Sequence, residues 1–149
     1  MIPIRDEIKT HRTPIVNYAL IVINVLVFLW MFLNSGNLEN IYYEYALIPA
    51  NFLNGIDLGD IKDMFTSMFM HGGWMHLIGN MIFLWVFGLI VEGKVGPWWF
   101  LGIYNAIGVL QAAVLQVCTL LFSEGSAAGA SGAIYGLMAI VMIWAPANN

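Results

Sequence analysis

The chain has 149 residues, of which 60% are hydrophobic and only 9% charged, with a mean hydropathy of +0.80. A soluble domain carries about 25% charged residues, and a chain this short needs that polar cover because so much of it lies at the surface. The composition therefore excludes an ordinary water-soluble domain, and the formal charge of -4 excludes a polyanionic partner such as nucleic acid.

Charged residues open the chain, with Arg5, Lys9 and Arg12 among the first 14 residues. An apolar run follows from Ile15 to Leu33, broken only by Asn17 and Asn24. It is longer than the roughly 7–15 apolar residues of a secretory signal and has no small-x-small cleavage site. It reads as a retained membrane span. Further apolar segments cover 64–91, 98–122 and 130–145. A spanning helix takes about 20 apolar residues, so the first three segments are long enough. The fourth is short and stops at Pro146, which implies a helix that begins below the membrane surface. The fold class expected is an all-α membrane protein, a polytopic helical bundle.

Basic residues orient the path. Arg5, Lys9 and Arg12 place the N-terminus in the cytoplasm. The connection 34–63 holds Glu39, Glu44, Asp57, Asp60 and Asp63 against the single Lys62, which suits the outer side, and Lys94 returns to the cytoplasmic side. Tyr42, Tyr43, Tyr45, Leu47, Ile48, Phe52 and Leu53 make the connection 34–63 too apolar for a solvated linker. They fit either an interfacial helix on the outer leaflet or residues packing on the bundle. The lone Cys118 forms no intramolecular disulfide or cysteine metal cluster.

Two clusters of polar and small residues lie within the spans, where polar groups are expensive and default to functional hypotheses. In the first, His76 and Asn80 are four apart and share a helix face. Both can donate hydrogen bonds to a developing negative charge. His71 stands five residues earlier, about 140° around the helix and nearer the membrane surface. Packing or an interfacial position is the alternative for these histidines. The zinc pattern H-E-x-x-H is absent, so no metal is expected. The second cluster is Gly129-Ala130-Ser131-Gly132-Ala133-Ile134-Tyr135-Gly136. Gly132 and Gly136 form a G-x-x-x-G pair that close helix packing alone would explain. The cluster departs from the G-x-S-x-G elbow because residue 133 is Ala. A serine in the first turn of a short helix nevertheless lies beside unpaired backbone N–H groups that favour negative charge. Nucleophile and oxyanion donors are thus both present. A general base is not, since His11, His71 and His76 are the histidines of this sequence and His11 falls on the cytoplasmic side.

In their order and spacing these segments resemble the rhomboid family of intramembrane serine proteases. VNYALIVINVLVFLW is similar to its first span, TSMFMHGGWMHLIGNMIFLWVFG to its second, Glu92-x-x-x-Gly96 to the turn that follows, and GASGAIYG to the G-x-S-G motif of the fourth. The resemblance implies a rhomboid-type six-helix core of which this chain holds spans one to four. It implies hydrolysis of peptide bonds in or near transmembrane segments of membrane-protein substrates, without a cofactor. By position it implies Ser131 as nucleophile and His76 and Asn80 as oxyanion stabilisers. Gly129, Gly132, Tyr135 and His71 are supporting residues, with Tyr135 matching an aromatic residue that packs on the catalytic histidine. That histidine comes from the sixth span in the family and has no match here. The chain is therefore expected to be a truncated piece that is inactive alone. No Trp-Arg pair occurs in the first loop. The expected setting is a bacterial inner membrane, and the alternative function is a non-catalytic relative that binds transmembrane helices.

Overall fold

A computed structural model of the chain describes residues 13–48, 58–122 and 130–144, apart from the side chains of 116 and 118–122. Helix α1 (Ile15–Leu33) occupies the first apolar run. A short 3-10 turn, Ser35–Asn37, leads into α2 (Leu38–Tyr45). After the segment 49–57 come α3 (Leu58–Thr66) and a second 3-10 turn, Ser67–Phe69. Helix α4 (Trp74–Phe83), a π-helical turn (Leu84–Gly88) and α5 (Leu89–Val95) then form one continuous rod. Gly96, at φ 87, takes the left-handed conformation that glycine tolerates and reverses the chain into α6 (Pro97–Phe122). Helix α7 (Ser131–Trp144) closes the described part. Among the described residues, three helices are long and apolar enough to cross a membrane: α1, the α4–α5 rod and α6.

The apolar segment 64–91 is not one helix. Its first residues belong to α3 and the 3-10 turn, and the helix restarts at Trp74. The break falls at Met70–Gly73, where two adjacent glycines weaken helical propensity.

Helix α7 is the hub. Its Ala133, Ile134, Leu137 and Val141 are buried in a core with Leu20 of α1, Leu84 of the π turn, Ile90 and Val91 of α5, and Phe100 and Tyr104 of α6. Its closest neighbour is α6. A Cβ on Gly132 would collide with the Gln111 side chain, and one on Gly136 with Ile107. The G-x-x-x-G pair therefore does bring two helix backbones together, the use small residues have in membranes. Gly88 is equally constrained, by Asn17 of α1.

Several polar groups inside the bundle find partners that lipid would not supply. Glu92, fully buried, accepts the backbone N–H groups of Val16 (3.0 Å) and Asn17 (2.6 Å). Helix α1 has no side-chain cap of its own at Pro14, so a carboxylate from another span fills orphan donors that every helix start leaves and sits at the positive end of its dipole. The Asn17 amide reaches the Trp85 carbonyl at 3.4 Å, in the π turn, where the ordinary ladder is disturbed. Asn24 donates to Leu20 O at 2.7 Å, within its own helix.

At the opposite end, α2 lies on the top of α1. Ile41, Ala46, Met31 and Met70 form a second core, while Tyr43 stays exposed. Helix α2 thus packs on the bundle while leaving an aromatic residue on the surface. Thr66 Oγ1 donates to Tyr45 O at 2.7 Å and Lys62 Nζ to Glu44 O at 2.8 Å, fastening α3 beneath α2.

Candidate active site

The start of α1, the turn after α5 and the end of α7 share one face of the bundle. Glu92 binds the first of these, and Lys94 stands 5.0 Å over the ring of Trp144 at the last. The start of α4 and the start of α7 therefore both point toward the opposite face, where α2 and α3 lie. The sequence motifs around His76 and Ser131 are brought to the same end of the molecule by helix direction alone, and α4 packs against α7.

Ser131 is the first residue of α7 and is half-buried. The first bond of the helix runs from Ile134 N to Ala130 O at 3.1 Å. The N–H groups of Ser131, Gly132 and Ala133 thus precede the ladder and point out of the helix start, where negative charge is favoured. Gly132 makes this turn fit: without a side chain it lets Gln111 lie against the backbone beside Ser131. Tyr135, one turn on, is 62% exposed. Gly129 lies outside the described residues, as does His11.

On α4, His76 is in the first turn and exposed, and Asn80 is one turn deeper and buried. The Asn80 Nδ2 has no hydrogen-bond partner. A buried amide without an acceptor costs about 1–3 kcal/mol, and such an exception calls for a reason, an arriving acceptor being one. His71 precedes the helix in the Met70–Gly73 break. It stands near the end of the span, yet only 1% of its surface is exposed, because α2 covers the turn: a Cβ on Gly72 would lie 3.8 Å from the Tyr42 hydroxyl. Burial pushes the His71 imidazole down to about 4, against the raising effect of its bond to the Phe69 carbonyl, with the nearby His76 adding to the fall. The two histidine rings are 5.2 Å apart and inclined at 63°.

The structure thus joins His71 to His76, buries Asn80 with a free donor, and leaves Tyr135 exposed. Sequence reasoning missed Gln111. A lone amide in an apolar helix was the available signal, but nothing local showed that it would meet Gly132.

Known proteins resemble this chain over much of its length. The family model described as the Rhomboid domain matches residues 59–149. Rhomboid protease GluP of Bacillus subtilis (strain 168) is 30% identical over 136 residues, 91% of this chain and 26% of that protein. Rhomboid-like protein 11, chloroplastic, of Arabidopsis thaliana is 35% identical over 80 residues, 52% of this chain and 27% of that protein. RHOMBOID-like protein 5 of Arabidopsis thaliana is 29% identical over 87 residues, 58% and 28% of the two chains. The chain spans about a quarter of the length of these relatives. With a membrane-type helical bundle and a family match over most of its length, this chain belongs to the rhomboid family.

Proposed function

We propose that this chain carries the nucleophile and oxyanion donors of an intramembrane serine endopeptidase, with Ser131 attacking peptide bonds in or near transmembrane segments. The observation that supports it most is the buried Asn80 amide without an acceptor, placed at the same end of the bundle as the open N–H groups that start α7. The Ser131 Oγ adds to the scissile carbonyl carbon, and its proton passes to a general base. The oxyanion that forms is stabilised by the Asn80 amide, His76 and the α7 start, the kind of fixed donors that contribute most to acyl transfer. The C–N bond then breaks, the amine leaves with a proton, and water hydrolyses the Ser131 ester. The resemblance assigns the base to a histidine of a later span, and the face of α7 that carries half-buried Ser131 and exposed Tyr135 is where such a helix would pack. In the full-length gene product, Ser131→Ala is expected to abolish cleavage of a reporter transmembrane substrate in liposomes. Unchanged turnover by that variant retracts the assignment.

A second reading is a non-catalytic protein that binds transmembrane helices, favoured by the names of the two plant relatives, which are rhomboid-like rather than protease. It predicts no cleavage by the wild type and equal capture of the reporter by wild type and Ser131→Ala.

A further inference from the structure

His71 has an atom that the mechanism above leaves unused. Its Nδ1 lies 3.2 Å from the Phe69 carbonyl oxygen. A carbonyl only accepts, so Nδ1 carries the hydrogen. The neutral ring has one N–H, which leaves Nε2 a bare lone pair. That atom is buried and without a hydrogen-bond partner, a position that costs about 1–3 kcal/mol. The ring beside it is His76, at 5.2 Å between centroids and an inclination of 63°, on an exposed side chain. Tyr42 of α2 also reaches this turn. Burial keeps His71 itself neutral near neutral pH, so it is an acceptor there and not a second cation.

We infer that His71 is a positioning residue for His76: its bare Nε2 accepts one ring N–H of His76 and turns the second nitrogen of that ring toward the Ser131 end of the bundle. This rests on the proposed role of His76 as an oxyanion donor. It also gives that role a definite charge state. With one N–H committed to His71, the other nitrogen can donate only when His76 is an imidazolium, the added proton coming from solvent. A neutral, buried acceptor is what allows one ring to donate in both directions, and charge-assisted bonds of this kind are about twice as strong as neutral ones.

The test uses the full-length gene product with 15N-labelled histidine in lipid bilayers. His71 is expected as the Nδ1–H form, with through-hydrogen-bond coupling between its Nε2 and a His76 N–H. Hydrogen on His71 Nε2, or no coupling between the rings, overturns the inference. This readout needs no turnover, so it separates failure of the inference from failure of the protease reading, which Ser131→Ala tests. For turnover, His71→Phe keeps the ring volume and loses the acceptor, whereas His71→Gln restores one. His71→Phe is expected to lower kcat about tenfold, the scale seen for groups that orient a functional histidine, with KM unchanged and His71→Gln recovering most of the loss. Wild-type kcat in His71→Phe, or equal losses in both variants, overturns it.

Discussion

His71 couples the candidate site to stability through its ionisation. Its folded value of about 4 lies below the 6.5 of a free imidazole, so the unfolded chain binds the extra proton more tightly. The contribution of the neutral ring is whole above pH 6.5 and is lost as pH falls toward 4. Thermal unfolding in detergent is therefore expected to lose stability from pH 7 to pH 4 more steeply in the wild type than in His71→Gln, which cannot titrate. Parallel curves would mean that the folded protein accommodates the charge. Ser131, His76 and Asn80 were visible in the sequence as polar groups within apolar spans. The burial of His71 was not. It depends on α2 folding back over the Met70–Gly73 turn, a contact between segments about 30 residues apart that no helical period encodes.

Among the elements, α1 and the α4–α5 rod show where local reasoning ends. Their lengths follow from apolar runs, but the pin between them does not: Glu92 meets Val16 and Asn17 across 76 and 75 residues. A cap supplied by another helix has no signature at the helix it caps, and Pro14 and Ile15 give no sign of one. Glu92→Ala removes both acceptors and leaves two donors at the start of α1 without a partner. It is expected to cost about 3 kcal/mol, read as a lowered midpoint in chemical unfolding. Glu92→Gln keeps one carbonyl oxygen and should fall between the two. An unshifted midpoint in Glu92→Ala would show that water enters to replace the carboxylate. The π turn was equally hidden. The sequence Leu84–Gly88 is apolar and unbroken, and the wider turn becomes intelligible only with Asn17 and Gly88 facing each other across the interface.

For the molecule as a whole, the helix directions are fixed by the Glu92 and Lys94 contacts, and the distribution of basic residues supplies the choice of side. By that rule Lys94 is expected on the cytoplasmic side, and α2 with the starts of α4 and α7 on the outer side. In a Cys118→Ser background, a thiol introduced as Asn40→Cys is expected to react with an impermeant reagent added outside intact cells. One introduced as Lys94→Cys should react only after the membrane is opened. The reverse pattern would invert the orientation while leaving the bundle intact.

The carboxylate that caps α1 also has a meaning in time. A ribosome delivers α1 long before residue 92, so the first span enters the bilayer with its starting N–H groups still turned to water. They are closed only when the second span has crossed back and set Glu92 beneath them. In the folded chain that one side chain sets the register of α1 against the α4–α5 rod. A single glutamate thus ties the start of the first apolar helix to the end of the α4–α5 rod.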